Sequence, residues 1–467
     1  MIPILTTDEV RAAERAVMTT LPPGTLMERA ASAIAVECFG IFRQHGGIVG
    51  RQVLLLVGAG DNGGDALFAG VRLLQRGVTV YALPLGTGMH AAGSAAFFRA
   101  GGRFLDVVQA LERFADLDLV IDGIVGLGSS RSLDGDAALI ARALDDAEIF
   151  TLAIDVPSGV HTDTGAIPGV AIGADVTVTF GALRPAHVIA PAAVHCGEVL
   201  LADIGVEMES ANAAITDPGA WFAPPPADAD KYSRGVVGIV TGSAQYPGAA
   251  LLSVASALHS GCGMVRCYGP HEELVVQAYP EVVPAPRSAI DTAHRTQAWV
   301  VGCGLGTDDD AAAALAAVLA KDAPAVVDAD ALTLLSMRAP LRDALAAREG
   351  RVTILTPHAG EAARLGSGYG LQLDLVSDRL GSARALADAT KCIVLLKGPS
   401  TLITNGAHFL ATPLLGSQLA TAPHVVARTW CAGCPRTSAP ARECPPRGDV
   451  GARSDTRRRP PACCCHR

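Results

Sequence analysis

Aromatic residues are scarce in this chain, at 4% of 467 residues. With so few rings, the chain lacks the aromatic stacking surface that binds single-stranded nucleic acid. The formal net charge of −9 gives no general attraction to phosphate backbones or anionic membranes. We therefore expect neither nucleic acid nor a membrane among the partners.

Long apolar runs are missing as well. No stretch reaches the roughly 18 residues that span a bilayer. The N-terminus, MIPILTTDEVRAAE, has no basic segment followed by a long apolar run, so we predict no signal peptide. These absences favour a cytoplasmic protein. Six of the twelve cysteines are scattered, as small buried hydrophobes usually are: Cys38, Cys196, Cys262, Cys267, Cys303 and Cys392.

Small aliphatic residues are abundant, and hydrophobic residues make up 50% of the chain, enough for two or three full cores. Apolar runs alternate with helical patterns in two blocks, which predicts mostly parallel sheets covered on both faces. The first block has such runs at 52–58, 78–83, 118–123, 150–156, 175–181 and 198–205. The second has them at 235–243, 298–302, 325–330, 352–357 and 392–398, with a helix at about 248–260. The proline-rich segment 222–231 separates the blocks, so the fold class is α/β with two domains.

A glycine-rich loop, VGAGDNGGDALFAG (57–70), follows the first strand. It contains GxGxxG at 58–63, so an ordinary dinucleotide site has to be considered. The acid expected about 20 residues later is absent, and Asp61, Asn62 and Asp65 place carboxylates where a pyrophosphate would lie. Hard oxygens here suit a cation or a proton transfer. The alternative is a plain strand–helix turn.

Two further acids end strands of the first block. Asp122 lies in VIDGIVGLGSS, and Asp155 lies in AIDVPSGVHTDTG. Because ligands bind beyond the carboxyl ends of parallel strands, we expect both to meet Asp61–Asp65 at one edge of the sheet. Either acid taken singly could instead be a helix N-cap.

The motifs GAGDNGGDA, DGIVGLG and IDVPSGVHTDTG resemble the N-terminal YjeF-type domain, the NAD(P)H-hydrate epimerase, over residues 1–212. The resemblance implies a Rossmann-like α/β/α sandwich that interconverts the R and S forms of NAD(P)H hydrated at nicotinamide carbon 6. It implies Asp155 as the proton-transfer residue and a potassium ion held by Asn62, Asp122 and Ser158. The implied substrate-binding residues are Asp61, Asn62, Gly63, Gly64, Asp65, Gly126, Leu127, Gly128, Ser129, Ser130, Arg131, Ser132 and Asp155.

One position departs from that family. Where it usually has lysine in TFxxxKxGH, this chain has Arg184 in TFGALRPAH. Arginine keeps the positive charge but does not give up its proton. We therefore expect Arg184 to anchor a phosphate or ribose and to take no part in proton transfer.

The second block resembles the ribokinase-like dehydratase domain of NAD(P)H-hydrate repair, over residues 229–422 after a linker at 213–228. The resemblance implies that ADP, or ATP in some relatives, phosphorylates the hydroxyl of the S-hydrate with Mg²⁺, and that phosphate elimination restores NAD(P)H. It implies that Ala249, Gly304 and His358 contact the hydrate, although His358 could simply cap a helix. The implied nucleotide-binding loop consists of Lys397, Gly398, Pro399, Ser400 and Thr401.

The chain after Ala422 breaks this pattern. The family continues with a GxGD turn whose amides stabilise the transferring phosphate and whose aspartate activates the hydroxyl. Here residues 424–467 have nine arginines and six cysteines but no Leu, Ile, Phe, Tyr, Met or Lys. We expect an incomplete dehydratase domain with impaired dehydration, followed by an aberrant tail, 423–467, that is either translated out of frame or an authentic disordered segment.

Two other function classes are compatible with parts of the sequence. A small-molecule kinase of the ribokinase-like class would share the second block's fold but leave the first block unexplained. A non-catalytic nucleotide-binding scaffold would be expected to lose the acids at the sheet edge, yet Asp65, Asp122 and Asp155 are present. The expected partners are NADHX or NADPHX and ADP. The sequence does not distinguish between the two hydrates, nor between a monomer and a homo-oligomer.

Overall fold

The structure, a computed structural model, describes residues 2–208, 213–215, 226–293 and 295–412. The predicted tail 423–467 and most of the predicted linker lie outside these residues. Within them, each sequence block forms its own large sheet with helices against it, which confirms the predicted α/β class.

The first block and its flanks supply nine strands and eight helices among the described residues. The strands are β1 (Ile2–Pro3), β2 (Gln52–Val57), β3 (Thr79–Pro84), β4 (Arg103–Phe104), β5 (Leu119–Gly123), β6 (Thr151–Ile154), β7 (Val176–Phe180), β8 (Glu198–Ala202) and β9 (Ala213–Ile215). The helices are α1 (Thr7–Met18), α2 (Thr25–Gln44), α3 (Asp61–Leu74), α4 (Ala91–Arg99), α5 (Val107–Leu111), α6 (Gly135–Ala147), α7 (Pro185–Val188) and α8 (Ala192–His195).

The first sheet has the order β4-β3-β2-β5-β6-β7-β8, and every pair is parallel. Alternate side chains of β2 enter different cores: Val53, Leu55 and Val57 pack on one face, Leu54 and Leu56 on the other. This double burial explains why the strands are continuous apolar runs. From β2, the next strands are added on one side (β3, β4) and the later ones on the other side (β5 to β8). The order of strands therefore switches between β2 and β5, and a crevice opens where these two strands end.

The second block also supplies nine strands, with seven helices, among the described residues. The strands are β10 (Val236–Val240), β11 (Met264–Tyr268), β12 (Val283–Ala285), β13 (Ala298–Val301), β14 (Ala325–Val327), β15 (Thr353–Leu355), β16 (Ile393–Leu396), β17 (Leu402–Thr404) and β18 (Phe409–Ala411). The helices are α9 (Pro247–His259), α10 (Glu272–Ala278), α11 (Asp309–Leu319), α12 (Asp330–Met337), α13 (Ala339–Ala346), α14 (Ala359–Gly368) and α15 (Arg379–Thr390).

The second sheet has the order β1-β9-β18-β17-β16-β15-β14-β13-β10-β11-β12. It is parallel from β16 to β12, and β17 and β18 continue it as an antiparallel hairpin. Strand β9 pairs with β18, and β1 pairs with β9. The first strand of the chain and the start of the expected linker therefore belong to the second sheet.

The two sheets share buried surface. Ile4, Leu183 and Ile189 are buried in the same hydrophobic cluster as the core of the second sheet. The backbone N–H of Ala190 donates to Ser400 Oγ at 3.1 Å, and Ser400 is fully buried. The segment between β7 and β8 thus contacts the second sheet's loops.

None of the helices described is long and apolar enough to cross a membrane. Four of the six scattered cysteines are buried as predicted, whereas Cys262 and Cys303 are partly exposed.

Candidate active site

Glycines let the start of α3 pack tightly against the crevice. A side chain on Gly58 would place its Cβ 1.8 Å from Ile124 O, and one on Gly63 would come 2.2 Å from Gly58 O. Gly60, between them, has open space around it. The helix therefore begins at Asp61 directly above the ends of β2 and β5, which positions the predicted acidic loop at the sheet edge.

Asp122, at the end of β5, is fully buried and tied to the loop after β6. Ser158 donates to it twice, from its backbone N–H and from its hydroxyl, both at 2.7 Å. Burial raises the pKa of Asp122 to about 6, although the hydrogen bonds from Ser158 and Ile124 oppose that shift. No cationic side chain in the described part of the chain pairs with this carboxyl. Asp122 precedes no helix, so the N-cap alternative is wrong for it.

The oxygens around Asp122 fit a monovalent cation. The side-chain amide of Asn62 donates to Ile154 O at 3.0 Å, and its Oδ1 faces Gly126, where an added Cβ would lie 2.5 Å away. The Ser158 hydroxyl lies 3.3 Å from the backbone oxygen of Val125, the residue before Gly126. Amide, hydroxyl and carbonyl oxygens thus lie on the elements next to a single carboxyl, that of Asp122. The described residues include no cluster of three His, Cys, Asp or Glu side chains suited to a metal.

Asp155, just after β6, has an unusual backbone and an unused oxygen. Its φ is 64°, in the left-handed region that non-glycine residues rarely adopt. Its Oδ1 accepts from the Thr179 hydroxyl at 3.0 Å and from Arg184 Nη2 at 3.2 Å, but its buried Oδ2 has no partner among the described residues. Strained backbone and unsatisfied polar atoms cluster at functional sites. Asp155 is not an N-cap either.

Arg184 does not lie where we expected. Its side chain is 1% exposed and donates to Asp155 and to Ala182 O, so it lies behind the carboxylate, away from any surface where a phosphate could bind. His187 was not predicted. Its Nδ1 accepts the backbone N–H of Arg184 at 2.9 Å, and its Nε2 donates to the backbone oxygen of Asp155 at 2.6 Å. Burial lowers the pKa of His187 to about 4, so a neutral ring with the proton on Nε2 fixes the Asp155 backbone.

The predicted loop 126–132 divides into two sets of residues. Gly126 and Ser129 are buried, and the Ser129 hydroxyl donates to Val160 O at 2.6 Å. Ser132 accepts from the Val170 N–H at 2.8 Å, so it holds the next loop in place. Gly128, Ser130 and Arg131 are exposed and free to face a ligand.

Carboxyl groups gather at the start of α3. Asp61 is exposed, whereas Asp65 is buried one turn further on, as are Gly63 and Gly64. Burial raises the pKa of Asp65 well above its usual range, and the negative charges of Asp61, Asp155 and Glu14 add to that effect. Glu14, on α1, was not predicted from the sequence. Its signal, a carboxyl one turn after a buried valine on an amphipathic helix, is too common to single it out.

The second site starts from two neighbouring turns. A side chain on Gly304 would lie 2.7 Å from Ala249 Cβ and 2.8 Å from Tyr246 Cβ, so the predicted hydrate-contacting residues of α9 and of the turn after β13 adjoin each other. Gly304 has a φ of 62°. His358 follows β15, two strands away from β13, at the same edge of the sheet. It caps α14 by accepting the Gly360 N–H at 3.0 Å, which confirms the capping alternative.

Lys397 belongs to a small ionic cluster. Its Nζ lies 2.8 Å from Asp328 Oδ1 and 3.6 Å from Glu361 Oε2. Glu361 also accepts the His358 N–H at 2.9 Å. The lysine predicted to bind nucleotide is thus held between Asp328, directly after β14, and Glu361, in the first turn of α14.

The rest of the predicted nucleotide loop is partly committed to internal contacts. Arg379 Nη2 lies 3.3 Å from Lys397 O and 3.4 Å from Ser400 O. The Ser400 hydroxyl faces Ala190, and the Thr401 N–H donates to Thr412 Oγ1 at 3.1 Å. Gly398 and Pro399 remain more exposed.

Two protein families match the chain, one in each sequence block. Residues 23–186 match the family described as YjeF-related protein N-terminus. Residues 237–422 match the family described as NAD(P)H-hydrate dehydratase.

Two mycobacterial relatives align with this chain across both sequence blocks. The bifunctional NAD(P)H-hydrate repair enzyme Nnr of Mycobacterium tuberculosis is 44% identical over 423 residues, covering 89% of this chain and 85% of that protein. The Nnr protein of Mycobacterium leprae is 40% identical over 421 residues, covering 88% and 84%. The ADP/ATP-dependent NAD(P)H-hydrate dehydratase of Bacillus subtilis, co-crystallised with ATP and Mg²⁺, is 25% identical with a TM-score of 0.38, covering 45% of this chain and 75% of that one. Because the two mycobacterial relatives are 44% and 40% identical over more than four fifths of their length, the chain belongs to the family of bifunctional NAD(P)H-hydrate repair enzymes.

Proposed function

We propose that the first site interconverts the R and S forms of hydrated NAD(P)H. The observation that carries the proposal is the unpartnered Oδ2 of Asp155, a buried carboxyl oxygen held by Thr179 and Arg184 at the edge where β6 ends. Such an oxygen can take and return a proton without rearranging its surroundings. The names of the relatives support hydrated NAD(P)H as the substrate.

The residues of this chain divide the work at that site. Asp155 transfers the proton, and the neutral His187 and the Arg184 guanidinium hold it in place. The exposed residues of the loops at 61–65 and 126–132 bind the dinucleotide, and the buried ones shape those loops. Asn62, Asp122 and Ser158 would hold a potassium ion, which supplies a fixed positive charge beside an anionic dinucleotide.

Epimerisation is tested with purified R-NADHX and the full chain. We expect the approach to the R/S equilibrium, followed by chromatography, to exceed the uncatalysed rate. The Asp155→Asn chain should lose about 10²–10⁴ of that acceleration. A wild-type rate equal to the buffer rate would refute the proposal.

Potassium is tested without an activity assay. Thermal unfolding in K⁺ is compared with unfolding in choline at the same ionic strength. We expect K⁺ to raise the midpoint of the wild-type chain and to have no effect on the Asp122→Asn chain, because the only carboxyl of the donor set is then gone. Equal midpoints in both salts for the wild-type chain would exclude this site.

For the second site, we propose ADP-dependent dehydration of the S form, with Mg²⁺, in a domain spanning 229–422 after a linker at 213–228. The positive charge of Lys397, next to the exposed backbone of Gly398 and Pro399, supports the binding of a nucleotide phosphate. Ala249 and Gly304 form the adjoining hydrate-contacting surface.

We further propose that dehydration is weak in this polypeptide. The sequence after Ala422 lacks the GxGD turn, and losing one set of oxyanion-stabilising amides costs on the order of 10²–10³ in rate. The test follows reduced-nicotinamide absorbance from S-NADHX, ADP and magnesium with residues 1–467. Turnover within a few-fold of the Mycobacterium tuberculosis relative would refute the impairment and leave the epimerase proposal untouched.

A further inference from the structure

Helix α1 packs against the loop after β5, next to the first site. The Thr7 hydroxyl lies 3.0 Å from both Leu127 O and Asp163 Oδ1, so the start of the helix is fastened to the loop after β5. Arg11 follows one turn later, with Nη2 3.6 Å from the position of a Cβ on Gly128. Residues spaced by three or four share one face of a helix, so Glu14 is the next residue of the face that lies over this loop.

Glu14 has no structural task in the described part of the chain. It is half-buried, yet it makes no hydrogen bond or ion pair there. The charges that act on its carboxyl are those of Arg11 on its own helix, Arg184 before α7, and three acids of the site, Asp61, Asp65 and Asp155. A partly buried, unpaired carboxyl beside a catalytic carboxyl costs stability, which is typical of functional positions.

We propose that Glu14 is a second acid–base residue of the epimerase site, working from α1 while Asp155 works from the edge of the sheet. This inference rests on the proposed epimerase function. A ring bound between a covering helix and a sheet edge has one such group on each face, and exchange of R and S requires chemistry on both faces. Burial raises the pKa of Glu14, with Arg184 opposing and Asp155 and Asp61 adding to the rise, so Glu14 is the group suited to deliver a proton.

In this mechanism, water is lost from one face of the nicotinamide ring and added to the other. The substrate carries its added hydroxyl on nicotinamide carbon 6, next to the ring nitrogen. Protonated Glu14 gives its proton to that hydroxyl, the carbon–oxygen bond breaks, water leaves, and the nitrogen lone pair forms a carbon–nitrogen double bond. Water then adds to the other face, the double-bond electrons return to nitrogen, and Asp155 takes the proton that water releases. The reverse direction exchanges the two roles, and nothing is oxidised or reduced.

The test uses the full chain in four versions: wild type, Glu14→Gln, Glu14→Asp and Asp8→Asn. Asp8→Asn is the control, because it removes an exposed negative charge from the same helix. We expect Glu14→Gln to lower kcat for epimerisation about 100-fold or more with little change in KM. Glu14→Asp should recover part of that loss, and Asp8→Asn should match the wild type. Because the protonated form is the active one, wild-type kcat should fall as pH rises through the pKa of Glu14, and Glu14→Gln should lack this limb.

The outcomes separate the two proposals. A wild-type chain that does not epimerise overturns the proposed function and this inference with it. An active wild type, with Glu14→Gln showing the same kcat and the same pH profile, overturns this inference alone. Should Glu14→Gln fail to fold, judged by its thermal unfolding, Glu14→Asp decides: a reduced kcat with a displaced high-pH limb supports the role, and a profile identical to the wild type overturns it.

Discussion

At the scale of single residues, the first site is built around a buried ion pair. Asp155 and Arg184 have side chains that are 4% and 1% exposed, and their closest atoms are 3.2 Å apart. Such a pair contributes little net stability compared with apolar neighbours, but either partner alone is costly. The pair therefore holds the Asp155 carboxyl in a fixed position, and the buried Arg184 side chain orients Asp155 and does not bind ligand.

We expect the Arg184→Met substitution to lower the free energy of unfolding by about 3–5 kcal/mol, because it leaves Asp155 buried without its cation. The double variant Arg184→Met, Asp155→Asn should regain much of that loss, since no isolated charge remains. Urea denaturation of the two variants measures the difference. A single variant as stable as the double one would show that the pair is not coupled.

Asp122 predicts a pH dependence of opposite sign to that of an ordinary salt-bridged acid. Its pKa is raised from 3.8 to about 6 by burial, so the folded chain binds its proton more tightly than the unfolded chain does. The raised pKa therefore contributes stability to the folded chain that is fully present below the unfolded pKa. This contribution is lost as the pH rises through 6. The loss amounts to about 3 kcal/mol, from roughly two pKa units at 1.36 kcal/mol each.

The measurement is the difference in stability between the wild type and Asp122→Asn, without potassium, from pH 4 to pH 7. Other titrating groups, His187 among them, are common to both chains and cancel. We expect the wild type to lose about 2 kcal/mol relative to the variant over this range, because part of the full change lies below pH 4. A flat difference would mean that Asp122 is not isolated in the folded chain.

At the scale of elements, the junction between β2 and α3 depends on two close approaches that only glycine allows. A Cβ on Gly58 would overlap Ile124 O, whereas Gly60 in the same loop has nothing within 4 Å. We expect Gly58→Ala to lower the unfolding midpoint and the affinity for hydrated NADH together, because α3 must shift away from the sheet edge. Gly60→Ala is the matched control and should resemble the wild type. Equal behaviour of the two variants would refute this packing account.

The same elements show how far the sequence alone reaches. Long apolar runs predicted β2, β5, β10 and β13, because burial on both faces leaves a strong pattern. Strands of two or three residues, such as β1, β9 and β12, carry no such pattern, and β12 contains Pro284. The β17–β18 hairpin was missed despite its Asn405–Gly406 turn, a usable signal.

The candidate site was predictable to a similar degree. Glycine-flanked acids at strand ends predicted the edge where Asp122 and Asp155 meet Asp61–Asp65. Glu14 and the true position of Arg184 depend on how α1 and the segment before α7 fold over that edge. Those are tertiary contacts, which leave no local pattern in the sequence.

At the scale of the whole molecule, one buried hydrogen bond joins the two sites' supporting loops. Ser400→Ala would leave the Ala190 N–H without an acceptor in a buried contact, which costs about 1–3 kcal/mol. We expect a lower unfolding midpoint for this variant. The control is Ser367→Ala, which should change little, because the Ser367 hydroxyl makes its hydrogen bond to Ala363 O at an exposed position of α14. An unchanged midpoint for Ser400→Ala would argue that the contact is not kept in solution.

The second sheet is completed by strands from the other end of the chain, so its stability depends on them. Strand β9 covers the outer edge of β18, with Ala214 opposite Leu410. A fragment of residues 226–467 lacks β9 and leaves that edge unpaired, which invites association between copies. We expect it to unfold at a lower temperature and to aggregate at lower concentration than the fragment 213–467, as followed by calorimetry and light scattering. Ala214→Pro in the longer fragment separates pairing from length, because proline cannot donate to the ladder. If edge pairing is the cause, this variant should behave like the shorter fragment, and a variant that behaves like the intact 213–467 fragment would assign the effect to chain length instead.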